Sequence, residues 1–343
     1  MKKKKIKINF KNFWEGFDPN ENLFINALKK IYEVELSETP DYVFYSVYQE
    51  VKNKSDLSKK GDFLRKISPD FYLFVKKIYS KLKGIKKEKI EAPKGNFVKI
   101  LHSAENTFPK IDECDWAFGS TPEEKVKNEK YLRIPFYIVD NPRLDKRREL
   151  PFRRKINFEK IKKEKTRFCN FIYSQEIPPR NNFFKRLNKY KKIDSPGRCM
   201  NNMGPISEKN PKESRLSKDW AGDKLDFLKK YKFTIAFENE ISEGWITEKL
   251  THPLLVNSIP IYIGTETVSK DFNTKCFINY NNFKNMDEFI KHIIQVDQND
   301  RLYKDYLSQP IFKNKEQYEF SIGKFFLKRL KKIIEAGNKK KKF

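Results

Sequence analysis

The sequence is short of the residues that build metal centres. Its 343 residues include only three histidines, and its four cysteines are Cys114, Cys169, Cys199 and Cys276. No two cysteines stand in a C-x-x-C pair, so a structural zinc site is not expected. No H-E-x-x-H, Walker A or D-x-D pattern occurs, which removes the usual sequence marks of zinc hydrolases, phosphate-loop enzymes and metal-clasping transferases. No run approaches the ~20 apolar residues of a membrane-spanning helix. The start, MKKKKIKINF, is basic but has no long apolar stretch behind it. The expectation is a chain without a signal peptide, soluble or membrane-peripheral on the cytosolic side, with reduced thiols. No internal repeat is apparent.

Cationic charge, by contrast, is abundant. Lys and Arg number 73 against 46 Asp and Glu, a formal net charge of +27. Nucleic acid, an anionic membrane or a phosphorylated ligand are the natural partners of such a chain. The excess is mostly lysine, spread evenly, and fits an AT-rich coding sequence equally well. Nucleic acid has no support beyond charge, because no zinc finger, RNP-like or helix-turn-helix pattern is present. With 38% hydrophobic and 15% aromatic residues the chain can bury a sizeable core, and its length suggests two domains.

Ile6, Ile8 and Phe10 alternate with polar residues as a first strand. Leu23, Phe24, Ala27, Leu28 and Ile31 follow at helical spacing, Val34 and Leu36 suggest a second strand, and Asp41 to Tyr45 a third. That is the opening of a doubly wound α/β domain. No glycine-rich loop follows the first strand, so this half is not expected to grip a nucleotide in the Rossmann manner. Residues 50–95 read as a lysine-rich insertion with an amphipathic helix, Phe71 to Leu82. Phe97 to Leu101 is a strand that places Glu105 just past its carboxyl end, and Ala117 to Gly119 is another. Residues 141–165 read as a linker. A second domain, 166–310, opens on the strand Arg167 to Tyr173. Pro178 and Pro179 start a helix that carries Arg180 near its N-terminus. Helices are expected at Leu225 to Tyr231 and Met286 to Val296, and a strand at Cys276 to Tyr280. In the tail, 311–343, Phe326, Leu330 and Ile333 share one helical face with Lys and Arg opposite. This predicts either a basic helix at an anionic membrane surface or a C-terminal helix packed across both domains.

Tyr231 to Gly264 is the densest stretch. An apolar run, Phe233 to Phe237, is followed at once by Glu238 and Asn239. A loop through Gly244 and Trp245 leads into a helix from Thr247 to Val256, then a second apolar run from Ile259 to Ile263. This is a βαβ unit of a parallel sheet, in which ligands sit beyond strand carboxyl ends and at helix N-termini. Thr247, Glu248 and Lys249 fall at such a position. Lys249 offers a point charge for a diphosphate, Glu248 an acceptor for ribose hydroxyls, and Arg180 a forked cation. Each has a plainer alternative: Thr-Glu-Lys as a cap with surface charges, Glu238 as a buried structural carboxylate, Trp245 as core. The residues alone support a two-domain α/β protein with an anionic-ligand site in its second half.

The run FENEISEGWITEKL, Phe237 to Leu250, followed by NSIPIYIG, resembles the signature of the α-1,3/1,4-fucosyltransferases, glycosyltransferase family 10. Three further segments appear in the family's order: SAEN at 103–106 with CDWAFG at 114–119, YLRIP at 131–135, and PRN at 179–181. The resemblance runs from Ile6 to about Tyr306, without residues 50–95 and the tail.

The family implies a GT-B fold, two Rossmann-like domains facing each other across a cleft. The domain 1–150 would take a glycan acceptor and the domain 166–310 GDP-fucose. It also implies an inverting transfer to the GlcNAc of a galactose–GlcNAc acceptor, of the Lewis-antigen or lipopolysaccharide kind, with no metal or other cofactor. By resemblance Glu105 is the general base, Arg180 and Lys249 neutralise the diphosphate, and Glu248 contacts the ribose. Glu238, Asn239 and Thr247 belong to the donor site, with Trp245 where the family usually has Tyr or Phe. Ala104 departs from the Gly or larger residue of many members, and DSPGRCMNNMG, 194–204, from the family's glycine-rich loop. Another nucleotide-sugar transferase on the same fold is the alternative, and a basic nucleic-acid-binding protein a more remote one.

Overall fold

The structure, a computed structural model, describes residues 3–14, 17–47, 91–103, 105–140, 149–154, 156–206 and 220–337. The helix expected at Phe71 to Leu82 lies outside the described residues.

The first half holds β1 (Lys5–Lys11), α1 (Leu23–Lys29), β2 (Glu33–Leu36), β3 (Tyr42–Ser46), β4 (Val98–Ser103), β5 (Trp116–Gly119) and β6 (Tyr131–Arg133). They form one sheet in the order β2-β1-β3-β4-β5-β6, with every neighbouring pair parallel. The central strand β3 is buried along its whole length, as a strand covered on both faces must be. The Asn22 side chain accepts from the Ile25 N–H and starts α1, whose Leu23, Phe24, Ala27 and Leu28 are buried.

The second half contains α2 (Phe158–Glu164), β7 (Arg167–Asn170), α3 (Pro178–Asn188), β8 (Ile193–Asp194), α4 (Trp220–Leu228), β9 (Tyr231–Phe237), α5 (Glu248–Leu255), β10 (Ile259–Ile263), β11 (Ile278–Asn279), α6 (Met286–Gln298) and α7 (Asp300–Ser308). Its sheet runs β11-β10-β9-β7-β8, again all parallel. Counted within each half, both sheets follow the order 2-1-3-4-5, the first with a sixth strand added. Two such doubly wound sheets make the GT-B architecture that the resemblance implied.

Several boundaries differ from expectation. The stretch read as a linker contains α2, whose Ile161 belongs to the second half's core, so that domain begins before residue 166. One apolar side chain among lysines is too weak a periodicity to show a helix. The helix expected at Leu225 to Tyr231 ends at Leu228, and Tyr231 already opens β9. The strand expected at Cys276 to Tyr280 shrinks to two residues between single 3-10 turns.

The tail forms α8 (Lys315–Ser321) and α9 (Lys324–Ala336). The Gln317 amide of α8 donates to the Ser269 and Lys270 carbonyls of the second half. The buried face of α9, with Phe326, Leu330, Ile333 and Ile334, packs on the first half. Phe326 meets Phe24 and Phe118 at 5.6 and 5.3 Å, and the Tyr42 hydroxyl donates to the Ile334 carbonyl at 3.0 Å. The tail therefore packs across both domains, and its apolar face is not available for insertion into a bilayer. Among the described residues no helix is long and apolar enough to cross a membrane.

One hydrophobic core runs through the seam. It joins Ile6, Phe44 and Ile100 of the first sheet to Ile246, Leu250 and Tyr262 of the second half. A buried fork closes the seam beside it: Arg133 donates to both Asp271 carboxylate oxygens, at 2.7 and 2.9 Å, and to the Gly244 carbonyl at 2.9 Å. Gly244 has φ +78°, and a Cβ there would stand 2.2 Å from the Ser120 carbonyl oxygen. Only glycine accommodates both that backbone and that approach.

Candidate active site

In an open parallel sheet the crevice opens where strand order reverses, outside the strand carboxyl ends. In the second sheet that point lies between β7 and β9. Chain leaving β7 supplies Tyr173 and then Arg180 on the first turn of α3, and chain leaving β9 supplies Glu238 and Asn239. The two arms meet: Arg180 donates to the Asn239 side-chain oxygen at 2.8 Å. The Arg180 guanidinium lies 3.6 Å from the Tyr173 ring centre, a cation–π contact. Tyr173 accepts from the Phe237 N–H at 2.7 Å, so the same ring ties the ends of both strands. Arg180 is only 2% exposed, and burial pulls its pKa below the ordinary value.

The next layer is the start of α5. Thr247 caps it, accepting from the Lys249 N–H. Glu238 reaches under the cap and accepts from the Thr247 N–H at 2.8 Å and from the Thr247 hydroxyl. Its side chain is 0% exposed and lies 3.6 Å from the Lys249 ammonium. Burial raises the Glu238 pKa, against the opposing pull of Lys249 and of the Thr247 bonds. Lys249 is itself opposed by burial, yet Glu248 and Glu238 outweigh it and raise its pKa, so it stays charged. Burial pushes Glu248 up, but Lys249, Lys224 and His252 dominate and hold it at about 2. The Lys224 ammonium, from α4, stands 3.6 Å from the Glu248 carboxylate. The start of α5 is thus a fixed lattice of two carboxylates and two lysines around a helix N-terminus, which itself favours anions.

Glu105 comes from the other half. It follows β4 in a short turn, where the Thr107 N–H donates to the Glu105 carbonyl at 2.7 Å and the Ser103 hydroxyl donates to the Thr107 carbonyl at 2.9 Å. Its carboxylate is exposed to solvent. A cavity of about 310 Å³ lies between the halves, lined by Trp14, Glu105, Phe136, Trp245, Thr247, Glu248 and Lys249.

The structure therefore brings five of the eight candidate residues to one cavity: Glu105, Trp245, Thr247, Glu248 and Lys249. Arg180, Glu238 and Asn239 do not line it. Asn239 is exposed at the carboxyl end of β9, and the buried Glu238 supports the cap that the cavity uses. Thr247 is a cap and Glu238 a buried carboxylate that supports it, as the plainer readings had it. Trp14 and Phe136 were missed. Trp14 follows β1 at the switch point of the first sheet, its indole packed by Phe13 and Phe17 at 5.6 and 5.2 Å. Its place after the first strand was the available signal. Lys224 had none, being one lysine among many.

The segment 194–204, to which no role was assigned, is pressed against this site. The Cys199 N–H donates to the Tyr173 carbonyl at 3.0 Å, and a Cβ on Gly197 would stand 2.2 Å from the same oxygen. It braces the ring on which Arg180 rests. Among the described residues no group of three or more His, Cys, Asp or Glu side chains is placed to hold a metal ion.

Two doubly wound sheets facing each other across a cleft define the class of proteins with GT-B architecture. The chain belongs to glycosyltransferase family 10. Residues 161–330 match the profile "Glycosyltransferase family 10 (fucosyltransferase) C-term", and residues 8–74 match "Alpha-(1,3)-fucosyltransferase FucT N-terminal domain". The chain is 30% identical over 242 residues to alpha-(1,3)-fucosyltransferase FucT of Helicobacter pylori, covering 62% of this chain and 47% of that protein. It is 32% identical over 141 residues to human GDP-fucose protein O-fucosyltransferase 3, covering 40% and 28%. The chain spans half or less of the length of these curated relatives. An alpha1,3-fucosyltransferase crystallised with GDP-fucose shares the fold, with a TM-score of 0.64 and 23% identity over 96% of this chain and 91% of that one.

Proposed function

We propose that the protein transfers L-fucose from GDP-β-L-fucose to the O3 hydroxyl of GlcNAc in a galactose–GlcNAc acceptor, with inversion at the anomeric carbon. The observation that carries this reading is one cavity with Glu105 on one wall and the Thr247–Lys249 helix start on the other. Glu105 removes the hydroxyl proton as the oxygen attacks C1 of fucose, a contribution of roughly 10²–10⁴-fold for a placed general base. The C1–O bond to the diphosphate breaks, and GDP leaves with its charge met by Lys249 and the α5 N-terminus, with Arg180 behind them. Glu248 stays ionised and accepts from the ribose hydroxyls. Those cations take the place of a metal, and no other cofactor is invoked. Trp14, opposite the donor wall, offers a flat apolar surface for the acceptor sugar. The relatives' names support fucose as the group transferred.

The name of the human relative favours one second reading, in which the accepting hydroxyl belongs to a protein. We place the reaction on the cytoplasmic side, acting on a surface glycan of lipopolysaccharide or Lewis type, with no nucleic-acid partner. Exposed Lys324, Lys328, Lys331 and Lys332 of α9 support contact with an anionic membrane by charge alone. Such contact weakens as salt is raised, and liposome flotation at low and high salt reads it.

The deciding assay incubates the protein with GDP-fucose or GDP-mannose and a panel of galactosylated, GlcNAc-terminated and peptide acceptors, with linkage read by NMR. Transfer from GDP-fucose to O3 of GlcNAc, unchanged by EDTA, is expected. Preference for GDP-mannose, a peptide product, or loss of turnover in EDTA would each replace the corresponding part of the reading.

A further inference from the structure

The two walls of the cavity are joined by a bridge that the proposed chemistry does not use. The Asn106 amide N–H donates to a Glu240 carboxylate oxygen at 3.0 Å, and the Ser242 hydroxyl donates to the Asn106 amide oxygen. Both ends of one side chain are engaged by residues two apart in the loop between β9 and α5. That loop carries Asn239 before the bridge and Trp245 and Thr247 after it. Asn106 is the neighbour of Glu105, one peptide and about 3.8 Å away along the chain. The turn that holds both residues is closed on itself by Ser103 and Thr107, so a shift of Asn106 carries Glu105 with it.

The far side of the same loop is held separately. The Gly244 carbonyl accepts from Arg133, the Gly244 N–H donates to the Thr267 hydroxyl at 3.2 Å, and Glu243 pairs with Lys125 at 3.1 Å. These contacts fix Gly244 to the body of the protein and leave Glu240 to Ser242 as the part that reaches the turn of the base.

We infer that Asn106 is a positioning residue, through which the seating of the donor loop sets the carboxylate of Glu105 over the cavity. This rests on the proposed reading for the roles of loop and base. Asn106 does not line the cavity. Its amide reads the loop in a specific polarity, donating to Glu240 and accepting from Ser242, and that polarity makes the inference testable without deleting the side chain.

The test is a polarity swap. Asn106→Asp keeps the shape and the bond from Ser242 but sets a carboxylate against Glu240. Transfer kcat is expected to fall about 10–100-fold, the scale of a misplaced catalytic group. The KM for GDP-fucose, the affinity for GDP and the melting temperature should stay near the parent values. Glu240→Gln alone should be close to the parent, since its amide oxygen still accepts from Asn106. Combined with Asn106→Asp it should restore most of kcat, because the new amide donates where the old one accepted. Lack of rescue in the double variant, or a loss of GDP affinity or melting temperature in step with kcat, would overturn the inference. Hydrogen exchange without nucleotide supplies an arm independent of catalysis. Asn106→Asp should speed exchange in both 103–107 and 238–246, and the double variant should reverse both. Unchanged exchange in 103–107 would overturn the inference. Absence of fucosyl transfer by the parent protein, with the exchange pattern as expected, would count against the proposed function and not against the bridge.

Discussion

The two sheets share one strand order and use their ends in opposite ways. In the second half most of the site comes from one run of chain, Glu238 to Lys249, and its side chains hold one another. Glu238 grips Thr247, Thr247 caps α5, and Lys249 and Lys224 flank Glu248. In the first half the site is gathered from three separate segments: Trp14 after β1, Glu105 after β4 and Phe136, which opens a short helix after β6. Its carboxylate stands exposed. The contrast fits the proposed chemistry. An anion is best met by charges fixed before it arrives, which needs a buried and mutually satisfied lattice. A base must be reached by its partner, which forbids burying it.

The largest expected effect tests the exposed side. Glu105→Gln should cost roughly 10²–10⁴-fold in transfer while calorimetric GDP affinity stays unchanged, and a variant keeping a tenth of its turnover would move the base elsewhere. The seam comes next. Arg133→Met leaves Asp271 and the Gly244 carbonyl without their fork, and breaking such a buried pair typically costs about 3–5 kcal/mol. Denaturant titration should show both halves losing stability in one transition, because one core crosses the seam. Two separate transitions, with one half unmoved, would show the halves to be independent.

On the buried side, Lys249→Ala should weaken GDP binding by about 10–100-fold, the equivalent of a charge-assisted bond. Arg180→Ala should weaken it less, because Arg180 does not line the cavity. Calorimetry that reverses this ranking would place Arg180 on the ligand itself. The smallest effect is in pH. Glu248 is held at about 2 against an ordinary value of 4.5. Its contribution to stability is therefore complete above pH ~4.5 and fades as pH falls towards 2. The difference in melting temperature between the parent and Glu248→Gln should shrink over that interval, and a difference independent of pH would show that the lysines do not hold the carboxylate down.

The same contrast explains what could be read from the sequence. The unit β9–α5–β10 was legible almost residue by residue, because apolar runs, a threonine cap and a positioned Lys249 are local patterns. Ile259 to Ile263 matches the strand without adjustment. Lone or paired residues such as Ile161 in α2, Ile193 in β8 and Ile278 in β11 carry no period, so their elements were missed, displaced or misjudged in length. Asn106 stood in plain view within SAEN but gained meaning only from Glu240 and Ser242, more than 130 residues away. The tail showed an amphipathic face in sequence, and amphipathicity does not say whether lipid or protein covers it. Phe24 and Phe118 give the answer.

That last packing has a consequence in time. Chains are made from the N-terminus, and domains tend to fold as they emerge. Here the first sheet cannot complete its core when it leaves the ribosome, because Phe326, Leu330 and Ile334 have not been made. The second half has a core of its own on one face, between α3, α6 and the β7–β10 strands, while its other face, with Leu250 and Tyr262, belongs to the core that crosses the seam. The half synthesised first therefore waits for the segment made last, and the wall that carries Glu105 is completed only once the tail exists to cover it.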